Sequence, residues 1–171
     1  MKLRIILAAA VLAAGSIVAR GASYYVNDGS TANDAWCSAA GNDANSGTSA
    51  NAPKATVQDV LADYDLEAGD TIHMDTGRYV LTNDITVGSL DGGVSNLPVT
   101  IRGSAGGTVI DGGSTNGGYG VVLNGVTGVE LRDLTITNAY EGVELKGDFY
   151  TGSSRNNSLS NLTIRSVRGS G

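Results

Sequence analysis

One short phrase keeps returning in the second half of the chain. GVVL stands at 120–123, GVEL at 128–131 and GVEL again at 142–145, while LTIT at 134–137 is echoed by LTIR at 162–165. Each phrase places two apolar residues around one that can be polar, the alternation of a strand with one buried face. Strands of three or four residues are not stable alone, so they must gain their stability from neighbours of the same kind.

The offsets between matching phrases say how they are arranged. GVVL and GVEL (142–145) are 22 residues apart, TVIDG (108–112) and LTITN (134–138) 26, RDLTIT (132–137) and SNLTIR (160–165) 28, VTIR (99–102) and VELR (129–132) 30. One unit of about 22 residues with loops of variable length accounts for all four. Such a period is the signature of a repeat architecture. With three strands per unit, stacked in register, the chain forms three parallel sheets whose strands lie about 4.8 Å apart along the stack. The expected columns of inward residues are Val121 with Val143, Val129 and Leu131, and Leu134 and Ile136 against Leu162 and Ile164. Each such side chain contributes roughly 1.5–3 kcal/mol on burial. An antiparallel sandwich would call for hairpin turns between alternating segments. Asn124-Gly125 is the single good candidate for one. The fold expected is therefore all-β, a parallel β-helix of about three units.

Between paired strands, Asp133 in LRDLT and Asn161 in LSNLT occupy the same place. Asp and Asn tolerate left-handed backbone and bond locally, so the two are read as a structural turn ladder. Upstream the text is different. Ser23–Val26 is a first strand, residues 27–51 are a polar loop, and PKATVQDVLADYD (53–65) is the one predicted helix. Thr56 and Asp59 form a variant capping box, and Val57, Val60 and Leu61 share a face.

Residues 1–21 have the layout of a secretory signal peptide, with Lys2 and Arg4 before an apolar run and Ala19 and Gly21 before the expected cleavage. The run is short for a bilayer span. Removing it leaves eight basic against seventeen acidic residues, net −9, which argues against nucleic acid as a partner. The expected organisation is a leader at 1–21, a strand, loop and capping helix at 22–70, and stacked strands at 71–171. Cys37 is the only cysteine, so no internal disulfide can stiffen the chain. Repetition has to do so instead.

The segments GNDANSGTSANAPKATVQDVL (41–61), AGDTIHMDTGRY (68–79), PVTIRGSAGGTVIDG (98–112) and GVVLNGVTGVELRDLTITNAYEGVEL (120–145) resemble the N-terminal part of secreted right-handed parallel β-helix proteins of the pectate-lyase-like superfamily. The resemblance spans residues 24 to about 164 and implies a right-handed coil with helix 53–65 over its open bottom. It also implies a bacterial protein, secreted or held at the cell surface. Relatives of this kind run to more coils, and by that analogy Ser170 is where another strand opens. The resemblance thus leads to the expectation of a truncated stack, with further coils or a capping partner at its C-terminal end.

Two functional readings follow from the resemblance. One is a polysaccharide lyase or epimerase, catalytically silent as this fragment. The other is a non-enzymatic structural or adhesive β-helix of a bacterial surface protein. For the first, the groove expected is on the strand that follows the third turn, with Glu144, Lys146 and Asp148 as substrate-binding residues. Glu130 and Arg132 are expected on another face. A calcium ion is one cofactor to consider. Asp43 and Asn45 offer oxygen ligands at alternate positions but lack a later bidentate Glu, so an Asx turn competes for them. His73 in TIHM is expected to face outward, and Cys37 beside Trp36 to be a thiol of the cap with no nucleophilic role.

Overall fold

A computed structural model describes residues 21–148 and 152–169. The expected leader therefore lies, apart from Gly21, outside the described residues. The chain is mostly strand: β1 (Ser23–Val26), β2 (Thr71–Met74), β3 (Gly77–Val80), β4 (Ile85–Val87), β5 (Val99–Gly103), β6 (Thr108–Asp111), β7 (Tyr119–Asn124), β8 (Val129–Ala139), β9 (Glu141–Asp148), β10 (Gly152–Ser153) and β11 (Ser158–Val167), with one helix, α1 (Val57–Asp63).

Nearly every strand pairing is parallel. One sheet runs β1-β2-β5-β8-β6-β3, with β11 also on β8, and a second runs β10-β9-β7-β4. The register follows the repeated phrases. Val121 and Leu123 pair with Val143 and Leu145, Val99 and Ile101 with Val129 and Leu131, and Ile110 with Ile136. Leu134 and Ile136 pair with Leu162 and Ile164. Parallel pairing of strands far apart in sequence rules out the antiparallel sandwich. The one antiparallel strand pair among the described residues, β9 with β10, falls where a plain loop was expected. There β9 continues to Asp148 and the chain pairs back on itself.

The glycines of the repeated phrase have different causes. A Cβ on Gly120 would collide with Ile136, and one on Gly142 would sit 2.6 Å from Ile164 Cγ2. These two let the strand press against the isoleucine of the facing sheet. Gly128 instead has φ +72°, and any Cβ there would also strike the backbone of Gly93. Asp133 and Asn161 have φ +58° and +48°, which bends β8 and β11 without ending them. Asn161 Nδ2 donates to Asp133 Oδ1 across the two strands at 2.8 Å. Asn138 makes the second bend of β8 at φ +53° and donates to Asp111 Oδ1.

Helix α1 is shorter than predicted because Thr56 is its N-cap in extended backbone, with its hydroxyl accepting from Asp59 N. Residues 53–55 are drawn away into other bonds. Lys54 bridges to Val26, and its buried Nζ reaches Asp63 Oδ2 at 2.6 Å and donates to Asp43 O. Val57 and Val60 join Tyr24, Val26, Ile72, Ile85, Ile101, Leu131 and Ile136 in one continuous core, with Leu61 packed against its margin.

Candidate functional site

Alternation along β1, β2 and β5 turns Tyr24, Ile72 and Ile101 into the core and leaves the residues between them on the outer face. Because the strands stack in register, those outer residues form columns. Tyr25 pairs with His73, His73 with Arg102, Arg102 with Arg132, and Arg132 with Ser160. Four chemically unusual side chains from four separate segments are thus brought into one row, each one strand step, about 4.8 Å, from the next.

Trp36 joins them from the long loop. Asp75, which follows β2, is fully buried, and its carboxylate accepts from the backbone N–H groups of Ala35 (2.7 Å), Trp36 (2.8 Å), Cys37 (2.6 Å) and Thr76 (2.7 Å). Asn27 holds the same loop through Ser30 O, Asp34 Oδ2 and Ala39 O. Burial alone would raise the Asp75 carboxyl, but the four donated hydrogen bonds outweigh it and hold the group below its ordinary range. The clasp sets Trp36 over the outer column. The indole stands edge-on to His73 with centroids 5.0 Å apart, and the Arg102 guanidinium lies over the indole ring, 5.2 Å from its centroid. Tyr25 and His73 are stacked, 5.2 Å apart and 16° from parallel.

The row is electrostatically lopsided. None of the four ion pairs among the described residues involves Arg102. Arg132 has only its sequence neighbour, Asp133 Oδ2, at 3.3 Å from Nε, and the geometry is too poor for a hydrogen bond. Nδ1 of His73 and Nε of Arg102 also lack partners among the described residues. Burial, and then the charge of Arg102, lower the affinity of His73 for a proton, so the imidazole is neutral at pH 7. On β8, besides Asp133, Glu130 is acidic, and it accepts from Ser160 Oγ, the in-register neighbour of Arg132.

The residues expected to bind substrate sit on the other sheet. Glu144 lies directly beside Val122 and Lys146 beside Asn124. Lys146 Nζ is 2.8 Å from Glu144 Oε2 and 4.6 Å from the centroid of the Tyr119 ring. Its proton is held more tightly because of Glu144. The two charges are thus paired with each other. The backbone of Asp148 pairs with Gly152, and its side chain lies outside the described residues.

The residues considered for calcium make structural hydrogen bonds with the segment before α1. Asp43 Oδ1 accepts from Ala55 N at 2.8 Å and Thr56 N at 2.9 Å, at the entry to α1. Asn45 uses its amide as a donor, Nδ2 to Pro53 O. Neither is a simple local turn, since the partners are eight to thirteen residues away. The Asx turns of this loop are made by Asp28, which accepts from Ser30 N, and by Asn42, which accepts from Ala44 N. Among the described residues no group of three His, Cys, Asp or Glu is placed to hold a metal ion. Cys37 is a free, buried thiol, pushed up to about 12 by burial and by the carboxylate of Asp75.

The Arg102–Arg132 pair could have been read from the alignment of VTIR with VELR, and His73 from extending it to TIHM. Trp36 could not, because the Asp75 clasp spans 38 to 40 residues. No protein-family model matches the chain, and the comparison with curated proteins likewise gives no match. No helix among the described residues is long and apolar enough to cross a membrane.

Proposed function

We propose that the chain is the helix-capped N-terminal part of an exported right-handed parallel β-helix, of the pectate-lyase-like kind, that binds polysaccharide. The repeat period, the parallel register and the placement of α1 against the core support the architecture. The observation that carries the binding role is the outer row of Tyr25, His73, Arg102 and Arg132 with Trp36 fixed over it. Sugar rings are recognised by flat aromatic surfaces and by planar multidonor groups such as guanidinium. A row of such groups on a rigid sheet offers both, along the direction in which the strands stack.

The layer formed by β11 supports the idea that further coils, or a capping partner, complete the stack. Leu159, Ile164 and Val167 are 39–48% exposed although their in-register partners on β8 are buried. Catalysis is not part of the proposal for this chain. A second reading is a rigid spacer of a bacterial surface protein. Binding of the 171-residue chain to a panel of soluble polysaccharides, acidic and neutral, separates the two. The proposal expects retention by at least one of them in affinity electrophoresis. Free migration in all of them would remove the binding role and leave the spacer. No unsaturated product is expected from pectate or alginate.

A further inference from the structure

The bottom of the stack is not covered evenly. β2 has β1 beneath it, and α1 lies against β4. β3 pairs with β6 on one side, and no described strand takes its other edge. Gly77 N donates to Gly107 O and Leu81 N to Asp111 O, so residues 77, 79 and 81 turn their backbone toward β6. Alternation turns the N–H and C=O groups of Arg78 and Val80 the other way. Arg78 N accordingly donates away from β6, to Asp28 Oδ2 at 3.3 Å. No loop backbone among the described residues meets that of Val80. We propose that this edge takes an extended peptide of a partner protein. The peptide adds a strand beneath β3, sends one apolar side chain into the cavity there, and sets a Lys or Arg against Asp28. The site is separate from the outer row of Tyr25, His73, Arg102 and Arg132 and does not depend on a glycan.

A sheet edge with unpaired N–H and C=O groups is a template for one more strand, and the pocket beside it selects the side chain. Here the pocket is a cavity of about 220 Å³. Its walls are Tyr79 and Leu81 at β3, Val57 and Gln58 from α1, and Asp28 and Gly29 from the loop. A typical small-molecule site holds roughly 300–1,000 Å³, so this one suits a single aliphatic side chain instead. The walls stand before any partner arrives, which lowers the ordering cost of binding. Gln58 Nε2 donates to Asn83 O at 2.6 Å and ties the helix to the turn after β3. Val80 is 62% exposed at the rim, and a strand laid beside it would cover part of that apolar surface. The charge at the mouth defines the partner further. Asp28 accepts only from backbone, from Ser30 N and Arg78 N, and none of the four ion pairs among the described residues includes it. The Arg78 guanidinium goes to Asp111 instead. A cationic side chain of the incoming strand would pair with the Asp28 carboxylate. The chain's net charge of −6 favours the approach of such a segment.

The probe is the end-capped peptide Lys-Val-Thr-Leu-Thr-Val-Lys, whose residues read the same in both directions. It is titrated into the isotope-labelled full chain and followed by amide and methyl NMR. The expected result is a saturable shift of the Val80 amide and of the Val57 and Leu81 methyls. Two changes test the backbone. Val80→Pro removes the N–H from an edge position, where proline is tolerated, and Val80→Thr keeps it. Binding should weaken about tenfold or more with Val80→Pro, and likewise when Ser replaces the central Leu of the peptide, but not with Val80→Thr. Asp28→Asn should weaken it severalfold and reduce its dependence on salt. An amide spectrum unchanged away from the substitution establishes that each variant is folded, and the Ser peptide needs no variant at all. The site would be overturned by the absence of a saturable shift, or by binding indifferent to Val80→Pro or to the loss of the Leu. Shifts confined to the free edge of β11 would overturn it as well. Affinity electrophoresis with polysaccharides is blind to each of these results, so the glycan proposal stands or falls separately.

Discussion

At the β1 end of the stack, the inward residues Tyr24, Val26 and Ile72 are buried in the same cluster as Val57 and Val60 of α1, and Tyr24 packs on Tyr64 just beyond the helix. At the β11 end the inward positions carry residues of the same kind, yet Leu145 is 55% exposed, Leu159 48% and Ile164 44%. The pattern that fixes which way a side chain points is the same in both places. Burial is decided separately, by whether another layer lies on top. The covered end also owns the polar devices of the molecule: the buried Lys54 with its partners Asp63 and Asp43, the Asp75 clasp, and the Asn27 anchor. The open end has polar contacts of a smaller kind: Asn157 accepts from Val129 N and donates to Val126 O, Ser154 Oγ donates to Lys146 O, Asn161 donates to Asp133 and Arg168 to Asn116. Stability is therefore expected to be graded along the stack, highest where layers and loop interlock.

Truncating one residue at two levels of a single column tests this most strongly. Ile136 and Ile164 are in-register partners, one fully buried and one 44% exposed. Ile136→Ala should cost about 2–5 kcal/mol in urea denaturation, and Ile164→Ala roughly 1 kcal/mol, because much of its surface already meets water. Equal losses would erase the difference between the two ends.

Acid should act first on the covered end. The carboxyl of Asp75 has a folded-state pKa below its unfolded value, so its stabilisation is fully present above the unfolded pKa of about 3.9 and is lost as pH falls through the lower folded value. Asp75→Asn is expected to cost about 1–3 kcal/mol at pH 7 and to flatten the decline in stability below pH 4. It should also move the emission of Trp36. A variant as acid-sensitive as wild type would show that the clasp is not what holds the loop.

The turn ladder is the place where the two ends should behave alike. Asp133 and Asn161 both hold positive φ, and replacing either with Ala forces a side chain without local hydrogen bonds into left-handed backbone at a cost of about 1–2 kcal/mol. Replacement by Gly should be the milder change at both positions. A large penalty at Asp133 alone would mean that packing, not backbone, governs the bend.

The smallest effect concerns chemistry instead of stability. Burial and Asp75 push the Cys37 thiol up to about 12, so at pH 8 its reaction with a disulfide reagent should be on the order of a thousandfold slower than in the unfolded chain. Rapid labelling of the folded protein would show that the covered end opens easily.

Sequence periodicity was enough to place GVVL beside GVEL and VTIR beside VELR, because register is set by which residues must face the core. It was also enough to see Thr56 as a helix start. It did not reveal how far each residue is buried, since alternation marks a direction and not what lies above it. The candidate site was half visible. The arginine column follows from the phrase alignment, but the Trp36 platform depends on Asp75 reaching back to residues 35–37, and no local pattern encodes that reach. Asp43 shows the same long reach. Its spacing to Asn45 looks like a ligand pair, whereas its carboxylate is drawn to the backbone N–H groups of Ala55 and Thr56.

Native-state hydrogen exchange, resolved by residue, tests most directly whether this is an in-register parallel stack closed at one end and open at the other. The amides of β2 and β5, with a strand on each side, should exchange only with global unfolding. Those of β11 that point away from β8 should exchange within the first time points, and those that point toward it should lie between. Uniformly slow exchange through β11, or rapid exchange in β5, would contradict the account.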